Sequence, residues 1–179
     1  MNYGIFVSTR IKDAPLSFVS DVDMENGMLV EMGPVVDGAA KYQVYTALPP
    51  SGEKPVYVVG DPAWSYDNSQ VVNMNEDAFI IPAGTIFRVY PISSVSGNRP
   101  DRFEIADYSI DNSDDVAFGD VVGLTAGSFR PIIGGDTDAF EGKVVKVDKQ
   151  GASFFVGKTV DNSVKLVTIE VIRNTEVTV

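Results

Sequence analysis

Short runs of β-branched and aromatic residues, each closed by turn chemistry, confine this chain to a β fold. Val44–Leu48, Val56–Val59, Ile86–Tyr90, Val121–Leu124, Lys143–Val147 and Val164–Ile172 have strand length and strand composition. Between them lie Pro49-Pro50-Ser51-Gly52, Gly60-Asp61-Pro62, Pro82-Ala83-Gly84, Ser96-Gly97-Asn98-Arg99-Pro100 and Gly134-Gly135-Asp136. These residues supply the fixed or positive φ that tight reversals need. Turn signals at this spacing, roughly every 8 to 12 residues, fit a sandwich or barrel. Residues 164–172 alternate most clearly: Val167, Ile169 and Val171 share the inward parity, and Glu170 is expected to face solvent. No stretch keeps a 3.6-residue period over three turns, so no long helix is predicted. The predicted fold is mainly β, with antiparallel sandwich or small-barrel elements and little helix. Expected packing anchors are Val30, Tyr45, Val58, Trp64, Phe79, Phe87, Val89, Phe103, Val122, Val145, Phe155, Val167 and Ile169.

Residues 1–20 pattern poorly, with Ser8 to Pro15 breaking any strand. They are read as an extended N-terminal arm before a β-rich body over 21–179. Such an arm would order on a partner. Residues 94–100, rich in Ser, Gly, Asn and Pro, are the expected internal boundary.

The chain has 179 residues, no histidine, no cysteine and a formal net charge of −11. Without histidine or cysteine there is no Ser-His-Asp or Cys-His pair and no ordinary zinc site. Hydrophobic residues are 44% and charged residues 22%, as in ordinary folded domains. No apolar run approaches a membrane span of about 20 residues, and the first residues do not read as a secretory signal. Residues 101–141 carry ten acidic and two basic side chains, a net of −8; residues 142–179 carry four and six, a net of +2. So acidic a chain repels nucleic acid. Lys143, Lys146, Lys149 and Lys158 read as a solvated strand face.

The clusters that carry chemistry elsewhere read simply here. Asp107, Asp111, Asp114, Asp115 and Asp120 could offer calcium oxygen ligands, but the loop lacks the glycine and distal glutamate of an EF-hand. Asp136 and Asp138 follow Gly134-Gly135, the reverse of the aspartic-protease order. Asp-Asn-Ser recurs at 67–69, 111–113 and 161–163 with unequal intervals, as Asx-turn chemistry would. No dinucleotide or P-loop glycine motif is present. No metal or cofactor is expected.

The order of motifs carries a resemblance. Met24 to Gly33 reads Met-Glu-Asn-Gly-Met-Leu-Val-Glu-Met-Gly, followed by Tyr-Gln-Val-Tyr-Thr-Ala-Leu at 42–48. Then come Val-Tyr-Val-Val-Gly-Asp-Pro-Ala-Trp-Ser-Tyr at 56–66 and Phe-Ile-Ile-Pro-Ala-Gly-Thr-Ile-Phe-Arg-Val-Tyr at 79–90. Phe-Gly-Asp-Val-Val at 118–122, Phe-Glu-Gly-Lys-Val-Val-Lys-Val at 140–147 and Val-Thr-Ile-Glu-Val-Ile at 167–172 complete it. Over residues 21–172 this resembles small head-associated proteins of tailed bacteriophages and is similar in kind to capsid decoration, or cement, proteins. The resemblance implies a non-enzymatic protein on the exterior of the virion, made in the host cytoplasm. Its partners would be the major capsid protein lattice and other copies of itself, with a trimer as the expected form.

Candidate partner contacts are Ile5, Phe6, Arg10 and Ile11 in the arm, Trp64 and Tyr66, and Asp136 and Asp138. Two other readings stand beside the first. One is a phage tail, fibre or baseplate module that binds a receptor or glycan through Trp64, Tyr66 or Tyr90. The other is a carboxylate-based hydrolase, which needs two carboxyl groups facing each other across a cleft.

Overall fold

The structure is a computed structural model that describes residues 6–36, 42–62, 80–95, 99–148, 155–156, 159–160 and 165–175. The described residues form two β layers and no α-helix; one 3-10 turn spans Asp107–Ser109. The mainly β expectation is met.

The first layer is a five-stranded closed ring: β2 (Leu16–Val19), β4 (Val44–Leu48), β3 (Leu29–Val35), β5 (Val56–Val59) and β6 (Ile86–Pro91), returning to β2. The β2–β4 pairing is parallel and the others are antiparallel. Closure leaves no sheet edge to protect. Phe18, Val30, Ala47, Val59, Phe87 and Val89 fill the ring, with Tyr45 and Tyr57 partly buried beside them. The ring of Phe18 lies 5.6 Å from that of Tyr45 and 5.8 Å from that of Tyr57.

The second layer is a six-stranded antiparallel sheet in the order β1 (Phe6–Arg10), β7 (Arg102–Ala106), β13 (Leu166–Asn174), β10 (Phe140–Asp148), β8 (Val121–Gly123) and β9 (Ile132–Ile133). A separate pair, β11 (Phe155–Val156) and β12 (Thr159–Val160), is antiparallel. Phe103, Ile105, Phe140, Val144, Val167, Ile169 and Val171 point inward and meet Leu29, Val56 and Val58 from the ring wall. The two layers therefore share one core, because β3 and β5 bury apolar side chains on both faces.

Two strands depart from simple alternation. A register shift between Val144 and Lys146 puts Val144 in the core and leaves Val145, an expected anchor, half-buried. Glu170, expected in solvent, is covered: its carboxylate lies 2.5 Å from the Arg102 guanidinium and 3.8 Å from that of Arg10. The long cations of β1 and β7 reach across the outer face and roof it. Trp64, Phe79 and the side chain of Phe155 lie outside the described residues.

Residues 6–20, expected as an arm, are woven into the body. Phe6–Arg10 pairs with β7, and Leu16–Val19 closes the ring between β4 and β6. Residues 1–5 are not among those described. The chain passes from ring to sheet between Arg10 and Leu16 in reverse, and again between Pro91 and Arg102, which spans the segment 94–100.

Candidate functional site

Buried polar side chains brace the two layers. Asn174, 9% exposed at the end of β13, accepts from the Val56 amide at 2.9 Å. It donates to the carbonyls of Val56 at 2.8 Å and Ile92 at 2.7 Å. One amide thus locks the sheet onto ring strand β5 and onto the residue that follows β6. Arg130 does similar work: its guanidinium lies 3.4 Å from Glu25 and 3.6 Å from Asp111, and it donates to the Tyr108 carbonyl. Glu31, 2% exposed, accepts from the amide and hydroxyl of Ser51 at 2.5 and 2.7 Å. Each buried charge has its partners, as burial demands.

The sequence-predicted contacts divide. Phe6 lies on β1 with its ring 5.3 Å from Tyr90 and 6.3 Å from Phe103, and over Gly60. A Cβ at Gly60 would come within 2.3 Å of the Phe6 ring, so the close approach requires glycine. Ile11 packs partly buried against the shared core. Arg10 donates to the Pro100 carbonyl through Nε at 2.9 Å and also through Nη2. These three tie β1 to the body. Asp136 and Asp138 are exposed; the Asp136 carboxylate accepts the Asp138 amide at 2.9 Å, and the Asp136 backbone is bridged to Leu124. Ile5, Trp64 and Tyr66 lie outside the described residues.

Open grooves lined by described residues include three. One, of about 330 Å³, runs past Pro55, Tyr57, Pro91, Ile92 and Asn174. A second, of about 470 Å³, is lined by Asp107, Asp111, Asn112, Asp114 and Lys165. Two of its carboxylates are engaged locally: Asp107 caps the Tyr108 amide and Asp111 faces Arg130. Asn112 takes the left-handed conformation (φ 58°) at the Asp-Asn-Ser turn. Among the described residues no three His, Cys, Asp or Glu side chains gather as a metal site would require. The exposed Lys146 pairs with Asp148 beside it, which holds its ammonium pKa above the usual lysine value.

The third groove, of about 310 Å³, lies between β1 and the ring and contains Phe6, Gly60, Asp61, Arg88 and Tyr90. Asn26 clasps the Asp61 backbone, donating to its carbonyl at 2.9 Å and accepting its amide at 2.8 Å. Burial pushes the Asp61 carboxyl pKa above 3.8, against an opposing hydrogen bond from the Arg88 amide and the Arg88 charge. A carboxyl raised in the folded state favours folding most when protonated, and that gain is lost as pH rises through the folded pKa. Asp61→Asn keeps the acceptor for Arg88 and removes the charge. It is expected to raise Tm at pH 7 by about 1–2 °C, with the gain vanishing below about pH 4. Thermal melts across this range check it; a lower Tm at pH 7 would show that the charge is favourable.

Sequence reasoning passed over Phe118. It is 76% exposed, at the top of a turn formed by Ala117–Asp120. The signal was an aromatic residue next to Gly119-Asp120, outside any alternating run.

No protein-family model, curated protein or solved structure matches this chain.

Proposed function

We propose that the chain is a non-enzymatic virion structural protein that binds the outer surface of an assembled phage capsid and stabilises it. The observation that carries this reading is the division of labour among its side chains. The partly or fully buried Arg10, Arg130, Glu25, Glu31 and Glu170 brace strands and loops, while a large aromatic, Phe118, stands in solvent on a braced turn. A rigid body with an exposed anchor is suited to contact. The resemblance of residues 21–172 to capsid decoration proteins points the same way.

Physically, a protein that binds only the assembled lattice stabilises it by mass action. Repetition over many equivalent sites adds avidity without new chemistry. The net charge of −11 keeps many crowded copies from clumping. Co-sedimentation with assembled heads tests the proposal. The chain is expected to pellet with heads at saturable stoichiometry and to leave unassembled capsid subunits unbound. Equal binding to free subunits would argue against a cement role, and pelleting with tails alone would favour the tail-module reading.

A further inference from the structure

Asn26-Gly27, the single Asn-Gly pair in the chain, is chemically labile by type. Where such a pair is mobile and wet, the glycine nitrogen attacks the carbonyl carbon of the asparagine side chain. A C–N bond forms, the bond to the side-chain nitrogen breaks, and ammonia leaves. Water then opens the resulting succinimide to aspartate or, through its other carbonyl, to isoaspartate. Glycine favours the attack because it carries no side chain to obstruct it. In this fold every group needed for that chemistry is occupied. The pair forms the centre of the turn Glu25–Met28, closed by the Met28 amide on the Glu25 carbonyl at 3.3 Å. Asn26 is 5% exposed. Its side-chain nitrogen donates to the Asp61 carbonyl at 2.9 Å, and its oxygen accepts the Asp61 amide at 2.8 Å. The Gly27 amide donates to the Val59 carbonyl at 2.9 Å. The attacking nitrogen is thus held by β5, and the leaving group by the residue just beyond it.

The same geometry explains why the fold keeps a labile pair here. Gly27 sits at φ +87°, and a Cβ on it would come within 2.9 Å of the Ile105 side chain on β7. No larger residue fits where ring and sheet meet. Asn26 must both donate to and accept from the backbone of Asp61, which an ionised aspartate cannot do. Conversion to aspartate would turn an oxygen toward the Asp61 carbonyl and bury a charge. Conversion to isoaspartate would add a methylene to the backbone and carry the turn out of reach of Val59 and Asp61. Neither product rebuilds the native contacts.

We propose that Asn26-Gly27 is a deamidation site that the native fold holds closed, and that water converts it in chains that have opened, a mark that refolding does not erase. The proposal is independent of what the protein binds. The test incubates the full chain in mildly alkaline buffer, once folded and once unfolded in guanidinium chloride. Both samples are then cleaved after lysine and arginine for mass spectrometry. The peptide 13–41 contains Asn26 as its one asparagine and has no glutamine, so its amide-to-acid mass gain reports this site. The unfolded chain is expected to convert at least about tenfold faster than the folded one, because native opening is rare. Equal rates in the two states, or no conversion in either, would overturn the proposal. The variant Asn26→Asp, made directly, reads the consequence. Its Tm at pH 7 is expected to lie about 4–8 °C below wild type. A Tm equal to wild type would show that conversion leaves the fold intact and would overturn the claim of a lasting mark.

Discussion

Asn174→Ala is expected to destabilise the protein by about 3 kcal/mol, lowering Tm by roughly 6–12 °C. The side chain closes three hydrogen bonds at once, to the Val56 amide and to the Val56 and Ile92 carbonyls. Its removal strands buried backbone groups on β5 and just past the end of β6, and each such group costs about 1–3 kcal/mol when no partner replaces it. Water entering the adjacent groove recovers part of that loss, which keeps the total below the simple sum. Asn174→Asp sharpens the test. The carboxylate still accepts from Val56 but turns oxygen toward two carbonyls. Its Tm is expected to fall at least as far as that of Asn174→Ala at pH 7, and to recover in acid, where the protonated group can donate once. A Tm within 2 °C of wild type for both variants would mean that the amide does not lock the layers.

Phe18→Ala is expected to cost about 4 kcal/mol and to lower Tm by roughly 8–16 °C. Phe18 is fully buried in the ring and sits in register with Phe87 on one side and Tyr45 on the other. Its loss leaves a cavity that closed strands cannot collapse to fill. Because Leu29, Val56 and Val58 belong to the ring yet pack against the sheet, the loss should be felt by the whole molecule. Far-UV circular dichroism and aromatic fluorescence are expected to report one shared transition, moved as a unit. Two separated transitions, with only the earlier one shifted, would show that the layers fold independently.

The sequence exposed the strands more clearly than their joints. Val44–Leu48 and Val56–Val59 match the runs of β-branched and aromatic residues in bounds, and the run Ile86–Tyr90 is extended by one residue, to Pro91. Val167, Ile169 and Val171 are fully buried, as their parity requires. Leu16–Val19 was hidden because four residues after a proline carry no readable period; its partners lie tens of residues away. Val145 was misplaced because a register shift is set by cross-strand pairing with β13, which one strand alone does not encode. Glu170 was placed in solvent because alternation marks a face but not what covers it; the covering arginines come from β1 and β7. Asn174 reads locally as a turn residue, and only the fold shows that it binds the backbone of Val56 and Ile92, both about eighty or more residues away. Phe118 escaped for a related reason: an aromatic beside turn residues is core in most folds, and its exposure depends on Val116 taking the inward position.

The most direct measurement is a cryo-electron density map of heads carrying the chain, compared with heads lacking it. Extra density is expected on the outer surface at symmetry-related lattice positions. Density confined to the tail, or identical shells in the two maps, would contradict the account.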